Sequence, residues 1–334
     1  MQTERSVGGI QQLGPGLSRL LGISVPLVIV LITAVLILER TPRREPLVYA
    51  ILVGTLVILT WISARSRGDY RLWALYTGAF ALFSIVRSFA DETGIATHIS
   101  DLVTAEKTLA FGSVPTVWLQ THLFDPRQIG WLDRAATYTH WSYFVLPHIF
   151  AAYLFLERRH LFERYVLLFV GVLAAGLIIA FIFPAAPPWA ASLTGHLDPT
   201  YKVVGEVGSE LNVNLYQYFD NQIRSSNPVA AMPSVHMAIS VIVLLMALRV
   251  NWLLGGLALA YNAAMAFSLV YLAEHYVLDI LAGVLLTVAL YAAMSLWLRH
   301  RKREPHPVPV PLDTADIPGS RPLHSPPAEP GAPG

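Results

Sequence analysis

Long apolar stretches recur along most of the chain, and they restrict its fold more than any other feature. A transmembrane helix needs about 20 predominantly apolar residues, because its backbone polar groups must be hydrogen-bonded within the bilayer. Such stretches fall at residues 20–38, 47–62, 72–86, 136–156, 165–183, 234–248, 252–272 and 276–298. Hydrophobic residues make up 54% of the chain and charged residues 13%. The sequence therefore predicts an all-α polytopic membrane protein.

Charged and Pro-rich stretches divide the chain into five segments. These are a polar N-terminus (1–19), N-terminal transmembrane helices (20–89), an interfacial or re-entrant extracytoplasmic segment (90–134), a transmembrane core (135–303) with an extracytoplasmic loop (184–233), and a disordered Pro-rich cytoplasmic tail (304–334). The interfacial assignment rests on Trp118, because Trp favours the headgroup level. An amphipathic helix packed on the bundle is the alternative for that segment.

The distribution of basic residues predicts the orientation of the chain. Short loops rich in Lys and Arg stay cytoplasmic, and such loops occur at 158–164, at Arg249 and at 299–303. Placing them inside puts loop 184–233 outside and the C-terminus in the cytoplasm. The same count puts the basic turn 40–44 outside, against the rule, so the orientation of the first two helices stays open. The excess of Arg over Lys is typical of a GC-rich bacterial genome, so we expect a bacterial plasma membrane.

Charge and cysteine content exclude several classes of function. A net charge of +1 without a basic stripe argues against a nucleic-acid partner. The chain has no Cys, which excludes disulfides, zinc-thiolate sites and thiol catalysis.

Two short motifs near the last apolar stretches carry the candidate chemistry. The first is Pro233-Ser234-Val235-His236, and the second is His275 followed four residues later by Asp279. On a helix, His275 and Asp279 share one face. Burying an acidic side chain within the membrane costs free energy, so such a residue is by default expected to have a function. The expected partner of Asp279 is His275. The predicted topology puts His236 and His275 at the same outer face.

Two other interpretations of these residues remain open. A histidine and an aspartate four residues apart also occur as a packing pair without function. His236, His275 and Asp279 also have the composition of a two-histidine, one-carboxylate metal site, which loss of activity on chelation would reveal.

The two motifs in this order resemble the second and third motifs of the type 2 phosphatidic acid phosphatase superfamily. Pro187-Pro188-Trp189 and the sequence YLAEHY at 271–276 are more similar to the branch that contains inositol phosphorylceramide synthase and its bacterial relatives. The resemblance covers residues 109–298. It implies a six-helix core, here with additional N-terminal transmembrane helices, and a lipid phosphatase or phosphotransferase that uses no metal or cofactor.

The resemblance also implies roles for individual residues. His275 would attack phosphorus to form a phosphohistidine, while Asp279 accepts a hydrogen bond from the other ring nitrogen. His236 would protonate the leaving oxygen and later deprotonate the attacking water or alcohol. Ser234 would bind phosphate at the start of a helix, where backbone N–H groups are free.

The sequence departs from the superfamily pattern at the expected phosphate-binding cations. The first motif, a Lys separated by six residues from Arg-Pro, is not found, and Ser268-Leu269 stands where the third motif has Ser-Arg. Arg224 is the best substitute and Lys202 a weaker one. Trp189 is a candidate substrate contact, with an interfacial anchor as the simpler alternative.

Three functions remain open at this point. Water as the acceptor gives a phosphatase acting on a lipid phosphate, pyrophosphate or phosphodiester, which we favour slightly. A polyol acceptor such as inositol gives a head-group transferase like inositol phosphorylceramide synthase. The missing cations favour a third possibility, a non-catalytic lipid-binding or transport relative.

Overall fold

The computed structural model describes residues 70–87, 90, 94–210 and 229–301, and the statements below concern these residues. The helices predicted at 20–38 and 47–62, the tail after 303 and Arg224 lie outside the described residues. The described part is helical, and the β-type pairings within it are isolated bridges rather than strands. This confirms the predicted all-α class.

Eleven helices are described. They are α1 (Tyr70–Arg87), α2 (Ser100–Leu109), α3 (Pro115–Leu123), α4 (Trp131–Ser142), α5 (Leu146–Glu157), α6 (Arg159–Ile182), α7 (Pro188–Leu193), α8 (Val203–Glu210), α9 (Val235–Val250), α10 (Trp252–Tyr271) and α11 (Val277–Arg301). Within this part of the chain, α6, α10 and α11 are long and apolar enough to cross a membrane, and α5 and α9 are shorter apolar helices. The end of α11 from Met294 onward belongs to a second compact unit, and all contacts given below lie before it.

The apolar stretch predicted as one helix over 136–156 forms two helices, α4 and α5. The N–H groups of residues 143–145 bond to carbonyls three residues back rather than four. Pro147 lies in the first turn of α5 and has no N–H to donate to the Tyr143 carbonyl. The backbone between the two helices therefore forms a tighter turn with hydrogen bonds between residues three positions apart.

Helix α9 lies at the centre of the bundle and packs against α5, α6 and α10. It also meets α11 closely, because a Cβ atom on Gly283 would lie 2.4 Å from the Ser234 carbonyl oxygen. The Thr287 hydroxyl donates to the Ala238 carbonyl at 3.1 Å. The first turns of α9 and α11 are thus held together at one end of the bundle.

Three extended segments join at this same end. Ala185, which follows α6, donates to the Val229 carbonyl at 2.6 Å and accepts from Ala231 at 3.0 Å. The His98 N–H, before α2, donates to the Pro184 carbonyl at 2.8 Å. These bonds connect the segment predicted as interfacial with the predicted loop and with the entry into α9.

Candidate active site

The first turn of α9 presents His236 and is connected to α11. Ser234 is buried and caps α9, since its hydroxyl accepts a hydrogen bond from the Met237 N–H at 3.3 Å. The Ser234 N–H donates to the Asp279 carbonyl at 3.0 Å. The residue predicted to bind phosphate therefore has its hydroxyl engaged in helix capping, while it fixes the position of His236 relative to Asp279.

The loop between α10 and α11 positions His275. Helix α10 ends with the Ala273 backbone in the left-handed region, at φ 62°. The N–H groups of Glu274 and His275 both donate to the Leu269 carbonyl at 3.1 Å, and the Ala273 N–H donates to the Val270 carbonyl. This is the Schellman pattern of helix termination. It reverses the chain within a few residues and brings His275 to the start of α11.

The side chains of the two motifs meet, with His275 between His236 and Asp279. His236 Nδ1 lies 3.2 Å from His275 Nε2, and His275 Nδ1 lies 3.4 Å from Asp279 Oδ2. Asp279 is fully buried and its Oδ2 also accepts the Tyr276 N–H at 2.9 Å. An aspartate that accepts from Nδ1–H leaves the Nε2 lone pair directed at His236. The geometry can thus support nucleophilic attack by one histidine beside a second that exchanges protons.

Glu106 is a member of this region that sequence reasoning missed. It lies on α2, is fully buried, and accepts the first N–H groups of α11, from Val277 at 2.8 Å and Leu278 at 3.2 Å. A carboxylate at a helix N-terminus satisfies free donors and complements the helix dipole. The sequence signal available was that Tyr276, rather than a Ser, Thr, Asp or Asn, stands just before the start of α11.

The environment of Glu106 shifts its pKa. Burial is the largest influence and raises the pKa of the carboxyl above its ordinary value. The two backbone donors oppose this shift, and the nearby Asp279 charge adds to it.

Lys202 and Trp189 lie together beside the α10–α11 loop. The Lys202 ammonium is 4.9 Å from the centre of the Trp189 ring, a cation–π distance, and both side chains are buried. The backbone N–H of Trp189 donates to the Ala273 carbonyl at 3.2 Å. The electrostatic interactions of His140 extend to both Lys202 and His275. Of the two substitute cations predicted, Lys202 therefore lies near the histidines, whereas Arg224 is outside the described residues.

Two further aromatic side chains lie against His236, and neither of them was predicted from the sequence. The ring of Tyr143 lies 4.4 Å from the His236 ring and that of His140 lies 5.0 Å from it, centre to centre. His148 instead accepts or donates a 2.6 Å hydrogen bond with the Tyr76 hydroxyl, within the packing of α1 against α5. Among the described residues, no group of three or more acidic or histidine side chains is arranged to hold a metal ion.

The sequence of the chain matches a known family over the helices that carry these residues. A family model described as the PAP2 superfamily matches residues 100–293, more than half of the chain. The match runs from α2 to near the end of α11 and includes both histidines. No solved structure matches the chain.

Curated relatives of the chain are synthases of inositol-containing ceramides. A phosphoinositol dihydroceramide synthase of Bacteroides thetaiotaomicron is 30% identical over 146 residues, 42% of this chain and 48% of the relative. The inositol phosphorylceramide synthase catalytic subunit of Saccharomyces cerevisiae is 32% identical over 123 residues, 35% of this chain and 30% of the relative. An inositol phosphorylceramide synthase of Candida albicans is 29% identical over 126 residues, 35% and 26% of the two chains. The chain thus spans less than half the length of the curated relatives it matches.

Proposed function

The chain belongs to the PAP2 superfamily, and from this premise we propose that it transfers a phosphoryl or phosphodiester group from a membrane lipid through a covalent bond to His275. The observation that carries the proposal is the array Asp279, His275 and His236, joined at 3.4 and 3.2 Å. Nucleophile, orienting carboxylate and proton donor are the three groups that such a displacement requires.

In the first step, His275 Nε2 attacks phosphorus and the bond from phosphorus to the lipid oxygen breaks. Asp279 stabilises the positive charge that develops on the imidazole, through the hydrogen bond to Nδ1. His236, in its protonated form, gives its proton to the departing oxygen. The products are a phosphohistidine and a lipid alcohol.

In the second step, water or an alcohol attacks the phosphohistidine. His236, now neutral, takes the proton of the attacking hydroxyl, and the nitrogen–phosphorus bond breaks. His275 and His236 return to their starting protonation states, so the cycle consumes no cofactor. Lys202 lies near this cluster, so its ammonium would offset the negative charge of the phosphate. Arg224, the other cation predicted for this role, lies outside the described residues.

We place the site at the extracytoplasmic face of the membrane. His236 and His275 lie at the starts of α9 and α11, whereas Arg249 lies at the far end of α9, where its guanidinium donates to the Tyr291 hydroxyl at 2.6 and 2.9 Å. Basic residues at the ends of spans favour the cytoplasmic side. The site therefore faces the opposite side.

A head-group transferase is the second candidate, and the curated relatives favour it. Their names describe products that combine ceramide, phosphate and inositol. Each of these products contains a hydroxyl compound that replaces water as the acceptor. The alternatives differ only in the second step, so the same array serves both.

The experiment is turnover of a lipid panel by the purified full chain in detergent with EDTA. The panel contains lipid phosphates, lipid pyrophosphates and phosphatidylinositol, each with water alone, added inositol or added ceramide. We expect turnover by wild type, none by His275→Ala, and unchanged turnover by His122→Ala, since His122 is an exposed histidine on α3. An acid-labile radiolabel on the protein from a labelled donor would identify the phosphohistidine.

The outcomes separate the candidates. Release of phosphate or a phosphorylated head group with water alone supports the phosphatase, whereas product formation only with inositol or ceramide supports the transferase. If wild type turns over no lipid, or if His275→Ala equals wild type, the proposed reaction is wrong and a lipid-binding role gains support.

A further inference from the structure

The phosphate site needs positive charge, and Lys202 alone is a weak match for a phosphoryl group with two or three charged oxygens. The sequence has no arginine at the positions where the superfamily pattern has one. An arginine from another part of the fold, brought to His236 by packing, would supply the missing charge. Helix α1, which lies before the part matched by the family model, ends in Arg87.

The packing of α1 against α5 brings Arg87 level with His236. Trp73 contacts Phe155 with ring centres 5.3 Å apart, and Phe80 contacts His148 at 5.2 Å. The chain in α1 therefore runs antiparallel to the chain in α4 and α5, and a step of seven residues along α1 matches a step of seven residues back toward α4. Arg87, seven residues after Phe80 and on the same helix face, comes level with residue 141. Its neighbours His140 and Tyr143 both have rings that lie against His236.

The packing of α1 against α6 leads independently to the same place. Trp73 contacts Phe162 at 4.8 Å and Phe80 contacts Phe169 at 6.2 Å, so these two helices run in the same direction. Two turns further, Arg87 comes level with Gly176. A Cβ atom on Gly176 would lie 3.1 Å from Val235 and 3.9 Å from Pro233, which immediately precede His236.

The charges around Arg87 agree with this placement. Its guanidinium interacts electrostatically with Tyr143 and with the Glu274 carboxylate, the residue next to His275. The electrostatic interactions of His236 include Arg87. Arg87 thus lies near two groups, the proton-exchanging His236 and the Glu274 carboxylate beside His275. When phosphate binds, the guanidinium could exchange its interaction with this carboxylate for one with a phosphoryl oxygen.

We propose that Arg87 binds the phosphoryl oxygens of the substrate at the His236 and His275 pair. The proposal rests on the proposed function, because it assumes that phosphorus is attacked at His275. Arg87 approaches from α1, while Lys202 approaches from the segment before α8, so the two cations reach the site from different elements. The Glu274 carboxylate acts electrostatically on the same guanidinium and would compete with the phosphate for it.

The test measures binding of inorganic phosphate, so it does not depend on finding the lipid substrate. Thermal unfolding of the purified full chain is followed against phosphate concentration at constant ionic strength. We expect phosphate to raise the Tm of wild type, and Arg87→Gln to need about 10 to 100 times more phosphate for the same rise, because charge-assisted bidentate bonds are lost. Arg87→Lys is expected to lie between the two.

Two control variants distinguish phosphate binding from a structural role. Arg71→Gln removes the same charge from the exposed start of α1 and should respond like wild type. Glu274→Gln removes the competing carboxylate and should need less phosphate than wild type. A purely structural ion pair between Arg87 and Glu274 would instead make both variants less stable and leave the phosphate dependence of each unchanged.

The proposal is overturned if Arg87→Gln, or Arg87→Lys should the former not fold, matches wild type in its phosphate dependence. It is also overturned if phosphate does not stabilise wild type. If the phosphate results are as expected while no lipid is turned over, Arg87 remains a phosphate-binding residue and only the proposed reaction is wrong.

Discussion

His236 Nδ1 and His275 Nε2 lie 3.2 Å apart although the two residues are separated by 39 positions in the chain. Their approach depends on the close contact of α9 with α11 and on the loop that ends α10. Two backbone and side-chain links, from Ser234 to the Asp279 carbonyl and from Thr287 to the Ala238 carbonyl, hold those helices in register.

Substitution of His236 by alanine should affect turnover far more than substrate affinity. Without this proton donor the leaving oxygen departs unprotonated, so we expect kcat to fall by about 100- to 10,000-fold. Steady-state kinetics with the preferred lipid measures the effect, and His122→Ala, which changes an exposed histidine of α3, is the matched control. A His236→Ala enzyme with near wild-type kcat would contradict the role of His236.

Asp279→Asn should disable His275 while leaving the protein folded. The asparagine can donate rather than accept at His275 Nδ1, which selects the wrong tautomer, and we expect kcat to fall by up to about 10,000-fold. Turnover and thermal unfolding are measured together. Asp101→Asn, a change of the same kind on an exposed residue of α2, should retain activity. Loss of folding in Asp279→Asn would instead indicate that Asp279 acts mainly as a structural residue.

Glu106 should act as a positioning residue for α11. Glu106→Ala leaves the N–H groups of Val277 and Leu278 without their acceptors, and we expect about 1–3 kcal/mol of destabilisation together with lower kcat. Glu106→Gln keeps one acceptor oxygen and should recover part of both. Equal losses in the two variants would show that charge, rather than hydrogen bonding, is what α11 requires.

The pH dependence of stability provides a separate test of Glu106. Burial raises the pKa of the Glu106 carboxyl in the folded protein above the value of 4.5 expected when it is exposed. The stabilisation linked to its proton is therefore complete below about 4.5 and is lost as the pH rises through the raised pKa. We expect the free energy of unfolding of wild type relative to Glu106→Gln to decrease as pH rises in this range. An increase would mean that the backbone donors outweigh burial.

Gly283→Ala should separate α9 from α11. The added Cβ would lie 2.4 Å from the Ser234 carbonyl oxygen and 3.4 Å from the Ala238 nitrogen, both backbone atoms that cannot move alone. We expect lower Tm and lower kcat. Gly256→Ala on α10 meets no atom within 4 Å and should be neutral or stabilising by up to about 1 kcal/mol, because Ala favours helix. Wild-type behaviour of Gly283→Ala would argue against the close contact.

The sequence alone was sufficient for the fold class, and it named the three side chains that the structure brings together in the candidate site. Apolar runs predict helices because a bilayer offers the backbone no other hydrogen-bond partners. His275 and Asp279 were predictable as a pair because four residues make one helical turn, and His236 was predictable from its motif. The bounds of α6, α9, α10 and α11 also lie close to the predicted stretches, apart from an earlier start for α6.

Only the tertiary structure decided what surrounds that pair. The capping of α11 by Glu106 from α2 and the electrostatic influence of Arg87 on His236 depend on packing between elements far apart in the chain. No local periodicity encodes such contacts, because a buried carboxylate or a terminal arginine has the same sequence signal wherever its helix packs. Local spacing therefore determined which residues are candidates for the chemistry, and helix packing determined which charged groups surround them.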